Sequence, residues 1–146
     1  MTENYKQKLA QGREYEEFVC KQLKKKMCLS INVFSNKKEQ YNIGESKQGF
    51  EIKLDNKFQK TKNIYIEISE KSNPNNRSYV DSGIYRDDNS WIVLIGNYEV
   101  IYFFGKNDLK LMHESKKYRE VQTSTSKGFL IPEKDCEKYK LKKITI

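Results

Sequence analysis

Glu51, Lys53 and Asp55 stand at every second position of FEIKLD (residues 50–55), and Glu67 holds the same phase in NIYIEIS (63–69). Strand side chains alternate between faces, so the three charged groups share one face while Phe50, Ile52 and Leu54 take the other. If that apolar row shares a core with Ile64, Ile66 and Ile68, the register brings Glu67 to the charged face as well. A hairpin centred near residues 59–60 would then set Glu67 across from Glu51 and Lys53. Two chemistries compete for such a face. It is either a solvated sheet surface of weak Glu–Lys pairs or a seat for a hard divalent cation. Crowded carboxylates repel unless neutralised, and Mg²⁺ takes one or two of them together with water and phosphate oxygens. A lysine beside the cation can orient or deprotonate its water, or steady charge developing on a phosphate.

Outward along the chain, residues 3–27 read as a helix with Tyr15, Phe18, Val19, Leu23 and Met27 on one arc. Glu16 falls inside that arc, where a charge needs a partner or a task. A short strand is expected near 29–34, a charged loop at 35–39, a second short strand at 40–44 and a hairpin turn at SKQG (46–49). Strand 50–55, the basic loop 56–63 and strand 63–69 complete an antiparallel meander. The polar tract 70–83 is the clearest loop and is placed to meet a ligand. WIVLIG (91–96) and EVIYFFG (99–105) read as a buried hairpin, with Trp91 expected in the core. Residues 106–118 follow as a helix capped by Asn107 or Asp108, then a short strand, a turn begun at Pro132 and a closing helix or strand. The order implies an α+β domain spanning 1–146, with a mixed or antiparallel sheet flanked by helices.

The 146 residues carry 28 Lys and Arg against 20 Asp and Glu, a net charge of +8 that favours a polyanionic partner. With aromatic residues at 12%, disorder is excluded as the chain's general state. Cys20, Cys28 and Cys136 form no C-x-x-C pair and His113 stands alone, so no zinc cluster is expected. No stretch approaches a membrane span and no signal-peptide run opens the sequence, which points to a cytoplasmic protein with reduced thiols.

FEIK (50–53), an apolar strand ending in E-x-K and preceded by a helix bearing an acid, resembles the PD-(D/E)xK nuclease superfamily. The wider run GES…GFEIKLD…NIYIEISEKS…SGIYRDDNSW is similar to small phage and mobile-element members of that class. The resemblance spans roughly residues 12–95 and implies a restriction-endonuclease-like fold and Mg²⁺- or Mn²⁺-dependent DNA hydrolysis. It carries Glu51 onto the metal-binding acid, Lys53 onto the catalytic lysine and Glu16 onto the helix acid near the metal. Asn42 stands where the family places its first Asp. Glu45, just after Gly44, is the favoured replacement, since a residue following such a glycine can leave the regular pleat. The resemblance therefore implies Glu45, Glu51 and Asp55 as metal ligands, and Glu45, Glu51, Lys53 and Glu67 as the catalytic group.

Lys57, Lys60, Lys62, Arg77 and Arg86 are candidate DNA-phosphate contacts flanking that group. Ser82 and Gly83 with His113 make no triad. Two other readings stay open: a nucleic-acid-binding module whose site has lost its chemistry, and a protein-interaction domain with a basic surface. A homodimer is expected by analogy with small nucleases that cut both strands.

Overall fold

The computed structural model describes residues 3–146, so the expected domain extends past the described residues only at positions 1–2. The described residues form a mixed α+β fold of five helices and two four-stranded sheets. Helix α1 (Glu3–Met27) is followed by α2 (Lys37–Asn42), β1 (Phe50–Leu54), α3 (Phe58–Thr61) and β2 (Asn63–Glu70). Then come β3 (Val80–Asp81), a 3-10 turn (Gly83–Tyr85), the pair β4 (Ile92–Gly96) and β5 (Val100–Gly105), and α4 (Lys106–Glu114). The chain closes with β6 (Glu120–Gln122), β7 (Ser126–Pro132), α5 (Glu133–Tyr139) and β8 (Lys142–Thr145).

The first sheet is mixed, in the order β1-β4-β5-β8; the second is antiparallel, in the order β3-β2-β7-β6. Alternation along β4 and β5 gives the first sheet two apolar faces, which is why both strands read as continuous hydrophobic runs. Ile92, Leu94, Ile101 and Phe103 join Ile52 and Ile144 beneath α1, which contributes Tyr15, Val19 and Leu23. Val93, Ile95, Tyr102 and Phe104 turn the other way. They meet Ile64, Ile66, Phe129 and Ile131 of the second sheet, with Leu109 and Met112 of α4 and Cys136 of α5. The result is three layers: helix, mixed sheet, antiparallel sheet.

Several expectations are corrected. The strands proposed at 29–34 and 40–44 reduce to a single bridge between Val33 and Ser46. Residues 37–42 are helical instead, because KKEQYN has no period-two apolar pattern and Asn36 caps the helix by accepting from the Glu39 N–H at 2.8 Å. The SKQG turn exists, closed by the Gly49 N–H on the Ser46 carbonyl, but it joins no hairpin. The β1–β2 hairpin does not form. Helix α3 intervenes with Phe58 buried; β1 pairs in parallel with β4, and β2 pairs antiparallel with β7. The apolar row of β1 therefore faces α1, whereas that of β2 faces the inter-sheet core. Helix α4 stops at Glu114, and the residue before it is Gly105 with no side-chain cap. Trp91 is 60% exposed rather than core.

Candidate active site: carboxylates around Lys53

The site wraps around the free edge of β1. Glu51 and Lys53 project opposite to Ile52, so they leave the α1 side and face toward the second sheet. Glu51 is buried at 6% exposure, with its Oε1 3.7 Å from Lys53 Nζ, while the Lys53 side chain remains half exposed. Glu51 does most to raise the Lys53 pKa; burial opposes it, and Glu45, Glu67 and Glu70 add to the rise. Lys53 is thus a firmly held ammonium ringed by acids.

Glu45 reaches this edge from the segment before the strand. Its Oε2 accepts the Ile52 N–H at 3.2 Å, while Ser46 Oγ both accepts from the Phe50 N–H and donates to the Phe50 carbonyl, each at 2.9 Å. Gly44 makes the turn possible. Its φ is +148°, and a Cβ there would fall 1.8 Å from Asn89 Oδ1. Asn89 in turn pins the segment, its Nδ2 donating to the Ser46 carbonyl and its N–H to that of Ile43, both at 2.8 Å. Burial raises the Glu45 pKa well above the usual range. Lys53 opposes this, while the neighbouring Glu16 carboxyl and the charge of Glu51 push it further up. Glu16 thus lies beside Glu45, the neighbour that its place in the apolar arc demanded.

Glu67 comes in from the second sheet. Ser82 Oγ donates to its Oε2 at 3.0 Å. Burial raises its pKa, Lys53 and Ser82 hold it back, and Glu70 and Glu51 add to the rise. Gly83 (φ +56°) packs directly on the Glu67 backbone, where a Cβ would lie 2.1 Å from the carbonyl oxygen. Glu45, Glu51 and Glu67 therefore gather about Lys53, with Glu16 of α1 beside Glu45, so the group is drawn from all three layers rather than from one hairpin.

Asp55 does not join them as expected. It is buried just past the end of β1, and its carboxylate accepts the N–H groups of Lys57 (3.1 Å, Oδ1) and Tyr65 (2.9 Å, Oδ2). Asn42 is exposed at the end of α2. Arg86 is committed elsewhere: its guanidinium donates to the carbonyls of Gln40 (2.7 Å) and Tyr41 (2.8 Å) and lies over the Tyr41 ring. Lys57, Lys60 and Lys62 are exposed on α3 and its flanks, and Arg77 is exposed in the loop after β2. Ser82 serves Glu67, while His113 bonds Tyr85 (2.6 Å) and Glu120 (2.8 Å), so the two form no triad.

Sequence reading set Ser82 aside as a triad member and gave it no place beside Glu67, although its Ser-Gly pairing marks a tight approach; it likewise gave no site role to Cys20, four residues after Glu16 on the same helical face. Burial and the nearby Glu16, Glu45 and Glu17 push the Cys20 thiol up. Among the described residues, no group of three or more His, Cys, Asp and Glu is arranged to hold a metal ion. No described helix is long and apolar enough to cross a membrane. Compared with models of known families, with curated proteins and with solved structures, the chain matches none.

Proposed function

We propose that the protein is a restriction-endonuclease-like enzyme that hydrolyses DNA phosphodiester bonds with Mg²⁺ or Mn²⁺. The observation that carries this reading is a half-exposed lysine 3.7 Å from the buried Glu51 carboxylate, with Glu45 and Glu67 close by. Burial and the neighbouring acids raise the Glu45 pKa, and a divalent cation would relieve that crowding. The donor set suits a cation bound by two carboxylates and otherwise by water and substrate oxygens, as Mg²⁺ prefers. Glu51 and Glu45 would hold it, with Glu45 giving up its proton to do so. The bound cation would supply Lewis acidity at the scissile phosphate.

The remaining work belongs to the chain. Lys53 is charged throughout the neutral range, so it donates: it orients the attacking water or steadies the phosphoryl oxygens, and it does not abstract the proton. Glu67, held by Ser82 and raised by burial, is the outer acid poised to take up a proton. The surplus of basic residues supplies attraction for the polyanion.

A second reading keeps DNA binding without hydrolysis. It is favoured by the engagement of Asp55 with backbone and by Asn42 lying exposed on α2, which together reduce the acids available to a cation. Incubation of supercoiled plasmid with Mn²⁺ separates the two. The wild type is expected to nick, with Lys53→Ala and Glu51→Gln slower by on the order of 10²-fold or more at unchanged DNA affinity. DNA binding with no nicking in any divalent cation would select the second reading.

A further inference from the structure

Beyond the carboxylate cluster, the strand that carries Glu67 runs straight into a knot of cations. Lys71 follows the last residue of β2, and Lys127 lies on the neighbouring strand β7, where Ser69 is its partner. Both ammonium groups converge on the ring of Tyr79, Lys71 Nζ at 4.8 Å and Lys127 Nζ at 4.4 Å from its centroid. All three residues are half-buried. Neither lysine comes within ion-pair distance of a carboxylate among the described residues.

The cluster is built rather than incidental. The Lys71 N–H donates to the Thr125 carbonyl at 2.8 Å and its Nζ to the Asn76 carbonyl at 3.1 Å. The Tyr79 hydroxyl donates to the Thr123 carbonyl at 3.4 Å. Loop 71–79 is thereby folded against the turn between β6 and β7. Arg77 sits exposed in the same loop and adds a third positive charge there. Two like charges gathered on one ring gain from it only modestly and repel each other. An anion bridging them removes the repulsion. Lys71 lies four positions along the chain from Glu67, at most roughly 13 Å at strand rise, which is the scale of a few nucleotides of backbone.

We propose that Lys71 and Lys127, braced by the ring of Tyr79, bind backbone phosphates of the DNA strand that lies across the Glu51–Lys53 cluster. This rests on the DNA reading above and adds the track along which the strand leaves the cluster. It also assigns phosphate binding to two lysines that sequence reading left out.

The test is the salt dependence of binding to a 20-base-pair duplex, followed by fluorescence anisotropy without divalent cation. Each lysine that no longer neutralises a phosphate lowers the slope of log K against log salt by about 0.9, so Lys71→Gln/Lys127→Gln should flatten it by about 1.8. Lys24→Gln/Lys25→Gln removes the same charge from the last turn of α1, in the outer layer away from the second sheet, and should leave the slope unchanged. Tyr79→Phe should bind as wild type, whereas Tyr79→Ala should weaken binding by freeing the lysines. If the double variant is poorly folded by circular dichroism, each single lysine variant should still remove about 0.9. A wild-type protein that binds the duplex while the lysine variants keep its slope overturns this inference and leaves the DNA reading standing. A wild type without affinity for duplex at any salt overturns both.

Discussion

At the scale of single residues, the site depends on which carboxylates are already engaged. Glu51 and Asp55 are both buried and share a phase along the chain, yet one faces an ammonium and the other accepts two backbone N–H groups. Those two bonds tie the end of β1 to α3 and to β2, and removing their acceptor leaves two part-buried N–H donors unpaired, at a cost of about 1–3 kcal/mol. Asp55→Ala should therefore lower the melting temperature by roughly 3–10 °C in the absence of any cation. Its Mn²⁺ affinity by calorimetry should match wild type. Unchanged melting with lost affinity would return Asp55 to the ligand set.

At the scale of elements, position depends on packing between distant parts of the chain. Gly83 illustrates this, because its left-handed backbone lets the 3-10 turn press on the Glu67 carbonyl. Gly83→Ala should cost about 2–3 kcal/mol and reduce hydrolysis by displacing β2 at Glu67. Gly12→Ala, where a Cβ meets nothing within 4 Å on helix α1, should instead stabilise by about 0.5–1 kcal/mol. Equal melting temperatures for the two variants would refute the role given to Gly83. The same contrast explains what the sequence made legible. Helix α1 and the β4–β5 hairpin were readable because their periodicities are local and their partners adjacent. The pairing of β1 was not. Consecutive strands usually neighbour each other, but α3 interrupts them, and the parallel match of Phe50 with Ile92 comes from residues 42 positions apart. Alternation still put Glu51 and Lys53 on the correct face of β1, and Glu16 was visible as an acid in an apolar arc. The commitments of Asp55 and Arg86 were hidden because their partners are backbone groups, which carry no sequence signature.

At the scale of the molecule, the carboxylate cluster joins three layers, so its protonation is coupled to global stability. Glu45 binds its proton more tightly folded than unfolded, surrounded by Glu16, Glu51 and Lys53. Between the ordinary carboxylate pKa, about 4.3, and its raised folded value, the native state holds more protons than the unfolded state. The stability this contributes is complete below that window and is lost as pH rises through it; Glu67 adds a loss of the same sign. Glu137 acts oppositely. Lys143, Tyr102 and Lys140 outweigh burial and hold it down to about 2, so its contribution is lost only as pH falls toward that value. From pH 5 to 8, melting temperature should therefore decline without cation. Glu45→Gln keeps the hydrogen bond to the Ile52 N–H and cannot ionise, so it should melt higher than wild type at pH 7.5 and decline less. A divalent cation replaces the proton and should reverse the trend. With free Mn²⁺ at ten times its dissociation constant, the gain is about 1.4 kcal/mol, or roughly 3–6 °C. That gain should grow with pH, because less proton remains to be displaced, and should vanish in Glu51→Gln. Thermal unfolding across pH with and without Mn²⁺ measures all of this in one series. If the wild-type and Glu45→Gln curves coincide and Mn²⁺ moves neither, the carboxylates are a structural cluster and the catalytic reading fails with them.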